Sequence, residues 1–231
     1  MKVITYATHS FGRFDTLVQS MPDIVVLGWG TKWNGFMGRC KGVLEYLESV
    51  PDDEIVMVVD GFDTIINKDL SDVEKVFKSM NCKILVSKDP VDNYFSKKVY
   101  TTCNGTTFNA GLYMGYCKNI KKLLTEVLQS GEEDDQRAMN IICNRINDQS
   151  FIKIDTEYII FENCYNNSNC VKKSRAYIVG TPGEISISRY VRGIKEYYKF
   201  FVPEILVLVL VLFMYLNRKS MYKIISSFRK I

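Results

Sequence analysis

The sequence predicts an α/β fold with a mostly parallel sheet, helices on both faces of the sheet, and a C-terminal transmembrane helix. Short runs rich in valine and isoleucine alternate with amphipathic segments, which is the pattern of strands joined by helices. The run Ile55–Val59 has no polar face, so it is expected to be buried on both sides. A long apolar stretch near the C-terminus predicts the membrane helix.

The first part of the chain alternates strands with helices. Val3–Ala7 and Ile24–Leu27 are typical of strands, and Phe14–Gln19 between them fits a short helix. The loop Gly28–Gly38 holds both tryptophans and precedes a helix predicted over Lys41–Val50, where apolar residues recur at helical spacing. These elements precede the buried strand.

The alternation continues after that strand. Leu70–Met80 is amphipathic and predicts a helix, and Lys83–Ser87 predicts a strand. The segment Asp89–Thr106 is long enough to be a functional loop. Glycines inside the next predicted strand, Phe108–Gly115, indicate that a ligand or another backbone approaches closely.

The later segments complete the predicted sheet and its helices. The expected helices are Ile120–Gln129 and Asp135–Arg145, and the expected strands are Ile152–Asp155 and Tyr158–Phe161. The chain of 231 residues is read as one main domain over residues 1–188, a linker over 189–199, a transmembrane helix over 200–217 and a basic tail over 218–231.

Membrane orientation is not set by charge, because basic residues flank the apolar stretch on both sides. The chain begins with Met-Lys and a short strand rather than an apolar leader, so a tail anchor with the main domain in the cytosol is expected. The N-x-[ST] sequons at Asn104 and Asn166 then carry little weight.

Charge and cysteine content exclude some functions. The net charge of +4 is spread over scattered lysine pairs, so a nucleic-acid partner is not expected. None of the seven cysteines forms a C-x-x-C pair, which argues against zinc and thioredoxin-type sites. Cys164 and Cys170 are close enough in sequence to form a disulfide, but free thiols in a reducing compartment are favoured.

Polar residues at predicted strand ends indicate a ligand site. Asp60 and Asp63 follow the buried strand, and ligands of open α/β sheets bind beyond the carboxyl ends of strands. Two carboxylates there suit a hard cation that could in turn hold phosphate oxygens. Three other segments are expected near the same edge: Thr5-Tyr6-Ala7-Thr8, Asn109-Ala110-Gly111 and Asp134-Asp135-Gln136. Aspartate is also a favoured helix N-cap, which is the alternative for the last of these.

Other chemistries are less well supported. The chain has neither the P-loop nor the G-x-G-x-x-G signature. Asp60-Gly61-Phe62-Asp63-Thr64 is near the D-x-D-x-T nucleophile motif of phosphatases, but its second aspartate is one residue too far. His9 is the single histidine, and a nucleophile that needs a histidine base would have to use it.

Taken in order, the motifs resemble the glycosyltransferase domain of procollagen lysyl hydroxylases and the related collagen galactosyltransferases. The resemblance covers roughly residues 1–183. The segments that carry it are Val3-Ile4-Thr5-Tyr6-Ala7-Thr8, Arg13-Phe14, Leu27 to Gly35, Lys41, Val58 to Asp63, Phe108 to Tyr116, Asp134-Asp135-Gln136, Ile154-Asp155 and Ile160 to Asn163.

The resemblance implies a GT-A-like, Rossmann-type fold, a UDP-sugar donor, Mn²⁺ or Mg²⁺, and a hydroxyl-bearing acceptor, either collagen-like or a glycan. By matching position Asp60 and Asp63 would hold the metal, and Asp134 and Asp135 would serve the sugar or acceptor. The donor-binding positions it implies are Thr5, Trp33, Lys41, Phe62, Asn109 and Gly111.

One departure from the family pattern weakens the enzyme interpretation. Val179 stands where the family has a histidine that ligates the metal. The alternative is therefore a degenerate, non-catalytic glycosyltransferase-like domain that serves as a membrane-anchored interaction module.

Overall fold

The computed structural model describes residues 1–165, 167–182, 194–195 and 197–218. The chain divides into two units, Met1–Glu184 and Ile185–Ile231. The predicted boundary at residue 188, the linker over 189–199 and the basic tail over 218–231 fall largely outside the described residues.

The strands and helices of the first unit follow one another in the alternating order that the sequence predicts. The strands are β1 Lys2–Tyr6, β2 Val25–Leu27, β3 Ile55–Asp60, β4 Thr64–Ile66, β5 Ile84–Lys88, β6 Phe108–Tyr116, β7 Ile152–Asp155, β8 Phe161–Asn163 and β9 Ile178–Gly180. The helices are α1 Phe14–Ser20, α2 Gly35–Leu47, α3 Val73–Ser79, α4 Tyr94–Tyr100, α5 Cys117–Gln129, α6 Asp135–Ile146 and α7 Ser168–Lys173.

A six-stranded sheet in the order β2-β1-β3-β6-β5-β7 forms the centre of this unit. The neighbouring pairs β1–β2, β1–β3 and β5–β7 are parallel, whereas β6 runs antiparallel to β3 and β5. A smaller sheet has the order β4-β9-β8. The predicted mixed, mostly parallel sheet is confirmed, and β6 is the strand that makes it mixed.

Hydrophobic side chains cover both faces of the large sheet. Along β3, Val56 and Val58 belong to one core cluster, whereas Met57 and Val59 belong to the other. Residues of α2, α5 and α6 fill the first cluster, and residues of α1, α3 and the smaller sheet fill the second. Strand side chains alternate between faces, so a strand that is apolar throughout requires this two-sided cover.

Several predicted boundaries are wrong. Helix α2 begins at Gly35 rather than Lys41, because the glycines at its start hide the helical pattern. The predicted loop Asp89–Thr106 contains α4, which begins where Asn93 caps the amide of Ser96. The last predicted strand begins three residues later, at Phe161, because Tyr158 has a positive φ of 53° and lies in the loop between β7 and β8.

The cysteine prediction also needs correction. Cys103 is bonded to Cys143, and Cys164 is bonded to Cys170. The remaining cysteines are free and buried, at positions 40, 82 and 117. Four of the seven thiols are therefore paired, contrary to the expectation of free thiols.

The second unit contains an apolar helix near the C-terminus. It begins with a 3-10 turn over Tyr198–Phe201 and continues as α8, Val202–Leu216. The stretch Tyr198–Leu216 is long and apolar enough to cross a membrane, and none of it is buried within the structure. This helix could serve as a membrane anchor, as predicted for residues 200–217.

Candidate functional site

The candidate site lies where β1, β3 and β6 meet at one edge of the large sheet. β1 and β3 are parallel and end together, with Tyr6 opposite Asp60. β6 is antiparallel to β3, so its beginning lies at the edge where β3 ends, and Leu112 pairs with Val59. The sheet order therefore gathers the ends of β1 and β3 and the beginning of β6, as the sequence predicts.

Asp60 and Asp63 flank the turn between β3 and β4. Asp60 Oδ1 accepts a hydrogen bond from the amide of Phe62 at 3.0 Å, and 28% of the Asp60 side chain is exposed. The carbonyl of Asp63 accepts from both the amide and the hydroxyl of Thr181, at 2.8 and 2.9 Å. These bonds hold the turn at both ends, to β3 of the large sheet through Asp60 and to the small sheet through Thr181, which directly follows β9.

Gly61 allows the end of β1 to pack closely against this turn. A Cβ atom at position 61 would lie 2.9 Å from Thr5 Oγ1 and 3.1 Å from Ala7 Cβ. Thr5 is fully buried, and its hydroxyl has no hydrogen-bond partner. The predicted contact between Thr5 and a nucleobase stays a prediction, and in this structure the hydroxyl is covered.

Arg39 brings a positive charge to the site, and the sequence did not predict this. Its Nη1 lies 3.3 Å from Asp60 Oδ2, and its Nη2 donates to Asp135 Oδ2. The same Nη2 lies 3.4 Å from the carbonyl oxygen of Ala110, and the guanidinium carbon is 5.7 Å from the centre of the Phe36 ring. Arg39 thereby connects α2, β3, β6 and α6.

Burial and charge oppose each other at Arg39. Burial disfavours the guanidinium cation, but the carboxylates of Asp135 and Asp60 outweigh this and raise the pKa of Arg39. The neighbouring Cys40 donates its thiol hydrogen to Asp135 Oδ2 at 3.7 Å, and burial raises the pKa of that thiol. Arg39 is therefore a fixed positive charge, whereas Cys40 stays a thiol.

Lys41 lies on the exposed side of α2, and its predicted role in donor binding stays a prediction. Its side chain is 69% exposed and pairs with Glu45 one turn later, at 3.8 Å. Arg39 shares the inward stripe of α2 with Cys40, Val43 and Leu47. With a helix predicted from Gly35, the spacing of four residues between Arg39 and Val43 would have indicated that the arginine faces inward.

Asp134 and Asp135 have separate roles at the start of α6. Asp134 is the N-cap, and its Oδ1 accepts from the amide of Arg137 at 2.9 Å. Asp135 is buried, with 4% of its side chain exposed, and pairs with Arg39. Arg39 thus links Asp135 to Asp60. Asp134 instead caps the helix, which is the alternative that the sequence offered for this segment.

A chain of hydrogen bonds holds Asn109 beside Asp60. Gln136 Nε2 donates to Asp89 Oδ2 at 2.8 Å, and Gln136 Oε1 accepts from Asn109 Nδ2 at 3.2 Å. Asn109 Oδ1 in turn accepts from the amide of Gly111 at 2.8 Å. An ionised Asp89 can only accept hydrogen bonds, so the NH₂ group of Gln136 must face it. The oxygen of Gln136 then faces the NH₂ group of Asn109, and the oxygen of Asn109 faces Gly111. Burial raises the pKa of Asp89.

Gly111 lies between Asn109 and Asp60. A Cβ atom there would be 2.8 Å from Asn109 Oδ1 and 3.6 Å from Asp60 Cβ. The absence of a side chain at Gly111 therefore lets the carboxamide of Asn109 lie against the backbone of β6.

Aromatic side chains from three loops and from the end of β1 lie near the edge where β1 and β3 end. The Phe62 ring is 5.6 Å from the ring of His9 and 5.8 Å from that of Phe11. Trp33, 43% exposed, meets the Tyr6 ring at 6.1 Å in an edge-on arrangement. Exposed and half-exposed rings of this kind offer flat apolar surfaces to a ligand.

The metal ligands predicted from sequence are the two carboxylates Asp60 and Asp63. Val179 is buried on β9 opposite Ile65 and offers no ligand atom. In the part of the chain that the structure describes, the one group of three potential ligands within 4.8 Å of one another is Glu162, Cys164 and Cys170. Its sulfur atoms form a disulfide, so they are not available as thiolates.

Comparisons with known proteins identify similar chains. The model of the PLOD GT domain matches residues 1–177. A Caenorhabditis elegans protein, the multifunctional procollagen lysine hydroxylase and glycosyltransferase, is 27% identical over 183 residues, which cover 70% of this chain and 25% of that protein. The chain therefore spans about a quarter of the length of this curated relative.

Two solved structures illustrate what the structural comparison found. A glycosyltransferase involved in glycosylation of the major capsid of PBCV-1 has a TM-score of 0.53 and 10% identity, with 79% of this chain and 94% of that chain covered. The galactosyltransferase LgtC, solved with donor and acceptor sugar analogs, has a TM-score of 0.47 and 11% identity, with 87% and 95% covered. The first likeness confirms the predicted GT-A-like α/β fold.

Proposed function

We propose, since this chain belongs to the family of the PLOD glycosyltransferase domain, that it transfers a hexose, glucose or galactose, from a UDP-sugar to an acceptor hydroxyl in a metal-dependent reaction. The family establishes a glycosyltransferase of the GT-A type. The donor, the sugar, the metal and the acceptor are the parts that we add.

One observation supports the proposal above the others. Asp60 and Asp63 stand at the carboxyl end of a central strand, and Arg39 joins Asp60 to the buried Asp135. A nucleoside diphosphate needs positive charge, which Arg39 and a cation on the acids would supply together. Buried and partly buried charges at a sheet edge are costly to maintain, which favours a role in binding over a role in stability.

The residues present fit a divalent cation even without the histidine of the family. Asp60 and Asp63 are hard oxygen donors, and such cations are often held by one or two carboxylates with water and substrate phosphates completing the shell. We therefore assign Mn²⁺ or Mg²⁺ to Asp60 and Asp63. When bound there, the cation would neutralise the charge that builds on the departing diphosphate.

The chain's own side chains would position the donor and acceptor. Arg39 is held by Asp135, so Asp135 serves the site by orienting this guanidinium. Asn109 and Gln136 present carboxamides that Asp89 orients, and these suit hydroxyl groups of a sugar. Trp33 and Phe62 offer ring faces beside the acids for the apolar parts of the nucleotide and sugar.

For the acceptor we propose a class of molecule, and for the location we propose a membrane. The relative named above is a procollagen lysine hydroxylase and glycosyltransferase, so a hydroxyl on a collagen-like polypeptide is our first choice and a glycan the second. The apolar helix Tyr198–Leu216 would hold the enzyme at a membrane.

A transfer assay tests the proposal. The full chain in detergent is incubated with Mn²⁺ and radiolabelled UDP-glucose or UDP-galactose, with hydrolysis and transfer both measured. We expect Asp60→Ala to lower turnover by at least about 100-fold, as losing a key electrostatic group does. Asp148→Ala is the matched control, because Asp148 is exposed and precedes β7 at the opposite end of the sheet. No turnover of either donor, or equal turnover in Asp60→Ala, would contradict the proposal.

Val179 favours one other candidate, the non-catalytic interaction module. Valine at this position offers no ligand atom, so the metal that we propose would have Asp60 and Asp63 as its protein ligands. A domain of that kind would bind UDP weakly or without metal, so donor binding separates the two candidates.

A further inference from the structure

The disulfides indicate the redox environment in which the first unit folds. Cys103 and Cys143 are joined across 40 residues, and both are buried. Cys164 and Cys170 close a second, shorter loop. Structural disulfides form and persist in oxidising compartments and are rare in the cytosol. Each bond requires that two thiols give two electrons and two protons to a protein disulfide, which becomes a dithiol.

A sequon lies directly beside the first of these disulfides. Asn104-Gly105-Thr106 follows Cys103 in a two-residue hairpin turn. The amide of Thr106 donates to the carbonyl of Cys103 at 3.1 Å, and the amide of Cys103 donates back at 2.8 Å. Asn104 and Gly105 have φ values of 52° and 80°, as a type I′ turn requires.

The turn presents Asn104 to solvent. Both Asn104 and Gly105 are exposed, whereas Cys103 before them is fully buried and bonded to α6. The turn itself explains the Asn-Gly pair, because this pair is favoured where both central residues need a positive φ. It does not explain Thr106, whose turn hydrogen bonds use backbone atoms alone. The threonine is the residue that makes the turn an acceptor for glycosylation.

We propose that Asn104 is an N-glycosylation site and that the first unit lies in the oxidising compartment where such glycans are attached. In this step the Asn104 side-chain nitrogen forms a bond to the anomeric carbon of a polyprenyl-diphosphate-linked oligosaccharide. The bond from that carbon to the diphosphate oxygen breaks, its electron pair leaves with the polyprenyl diphosphate, and the nitrogen releases one proton. A host oligosaccharide transferase that uses this donor catalyses the step.

Two independent features support the same compartment. Disulfides and glycosylated sequons are both features of secretory-pathway proteins, and here the disulfide-bonded Cys103 directly precedes Asn104, the asparagine of a sequon. The proposal places the unit on the side of the membrane opposite to the cytosolic side favoured by the sequence. The second sequon, at Asn166, lies outside the described residues, so the proposal concerns Asn104 alone.

The test expresses the full chain in a cultured eukaryotic cell line and treats it with peptide N-glycanase. The variants are Asn104→Gln, Thr106→Ala, Thr106→Ser and Asn166→Gln. We expect a glycanase-sensitive mobility shift that is lost in Asn104→Gln and Thr106→Ala and retained in Thr106→Ser. Mass spectrometry should find aspartate at position 104 after glycanase treatment. Thr106→Ala and Thr106→Ser are matched, because both keep the backbone bonds of the turn.

Two results would overturn the proposal. One is a wild-type chain with no glycanase-sensitive shift, or with a shift that disappears in Asn166→Gln alone. The other is the thiol count. When the chain is denatured without reduction and labelled with a maleimide, we expect the three free cysteines to react, whereas reaction of all seven would place the unit in a reducing compartment.

Discussion

Replacing Arg39 with methionine removes the guanidinium between Asp60 and Asp135 and keeps a long apolar stem. Asp135 is then left buried, with 4% of its side chain exposed and no cation beside it. Asp60 is affected less, because 28% of its side chain already meets solvent. The cost of the change therefore falls mainly on Asp135.

The expected loss of stability follows from this burial. Removing one partner of a buried ion pair costs about 3–5 kcal/mol. For a domain of this size, with about 2–4 °C per kcal/mol, the melting temperature falls by about 6–20 °C. Partial solvent access at Asp60 favours the lower part of this range. Arg39→Met with Asp135→Asn should recover much of the loss, because no unpaired charge remains.

Thermal unfolding of the full chain in detergent, followed by tryptophan fluorescence, measures the effect. Trp29 and Trp33 are the two tryptophans of the chain, and both lie in the loop before α2. Lys41→Met is the control, since its exposed pair with Glu45 is worth about 0.3–0.5 kcal/mol. If Arg39→Met has the same melting temperature as Lys41→Met, or if adding Asp135→Asn gives no recovery, an unpaired charge at Asp135 is not the cause of the loss.

Three further changes test other parts of the structure. Gly115→Ala should cost about 1–3 kcal/mol of unfolding free energy, because its Cβ would lie 2.5 Å from the carbonyl oxygen of Lys83; unchanged urea unfolding would refute this packing. Gly111→Ala should break the bond to Asn109 Oδ1, worth about 0.5–1.5 kcal/mol, and slow transfer about 2- to 10-fold, so an unchanged rate would separate Asn109 from the reaction. Burial raises the pKa of Asp89 in the folded state above 3.8, so ionising this carboxyl destabilises the folded state. The loss of stability is absent below pH 3.8, where the carboxyl is protonated in both states, and complete above the folded-state pKa. The stability of Asp89→Asn relative to wild type should therefore improve from pH 4 to pH 7, and a constant difference would show that burial does not control this carboxyl.

The sequence predicted the sheet edge well because its signals are local. A run of apolar, mostly β-branched residues that is followed by Asp60 predicts a buried strand and the position of its end. Gly115 in the later strand correctly indicated the close approach of another backbone, whereas the contacts at Gly111 are with the side chains of Asn109 and Asp60. The antiparallel direction of β6 was not predicted, because the apolar pattern of a buried strand does not depend on the direction in which the strand runs.

Arg39 could not be predicted without the correct start of α2. Gly35 and Gly38 weaken the helical pattern, so the sequence predicts a helix only from Lys41 onward, and the direction of the Arg39 side chain cannot be inferred. The disulfide between Cys103 and Cys143 depends on spatial proximity across 40 residues, which sequence spacing does not reveal, whereas Cys164 and Cys170 are six residues apart and were recognisable as a possible pair. The strands of the small sheet have three residues each, too few to show a period.

Calorimetric titration of the full chain in detergent with UDP, with and without Mn²⁺, tests the central claim most directly. The account predicts that UDP binds in the presence of Mn²⁺, that binding weakens when the metal is removed, and that Asp63→Asn weakens it in the same way while Asp148→Asn does not. UDP binding that is absent, or that is equally strong without metal and in Asp63→Asn, would contradict the account and leave the non-catalytic module as the better description.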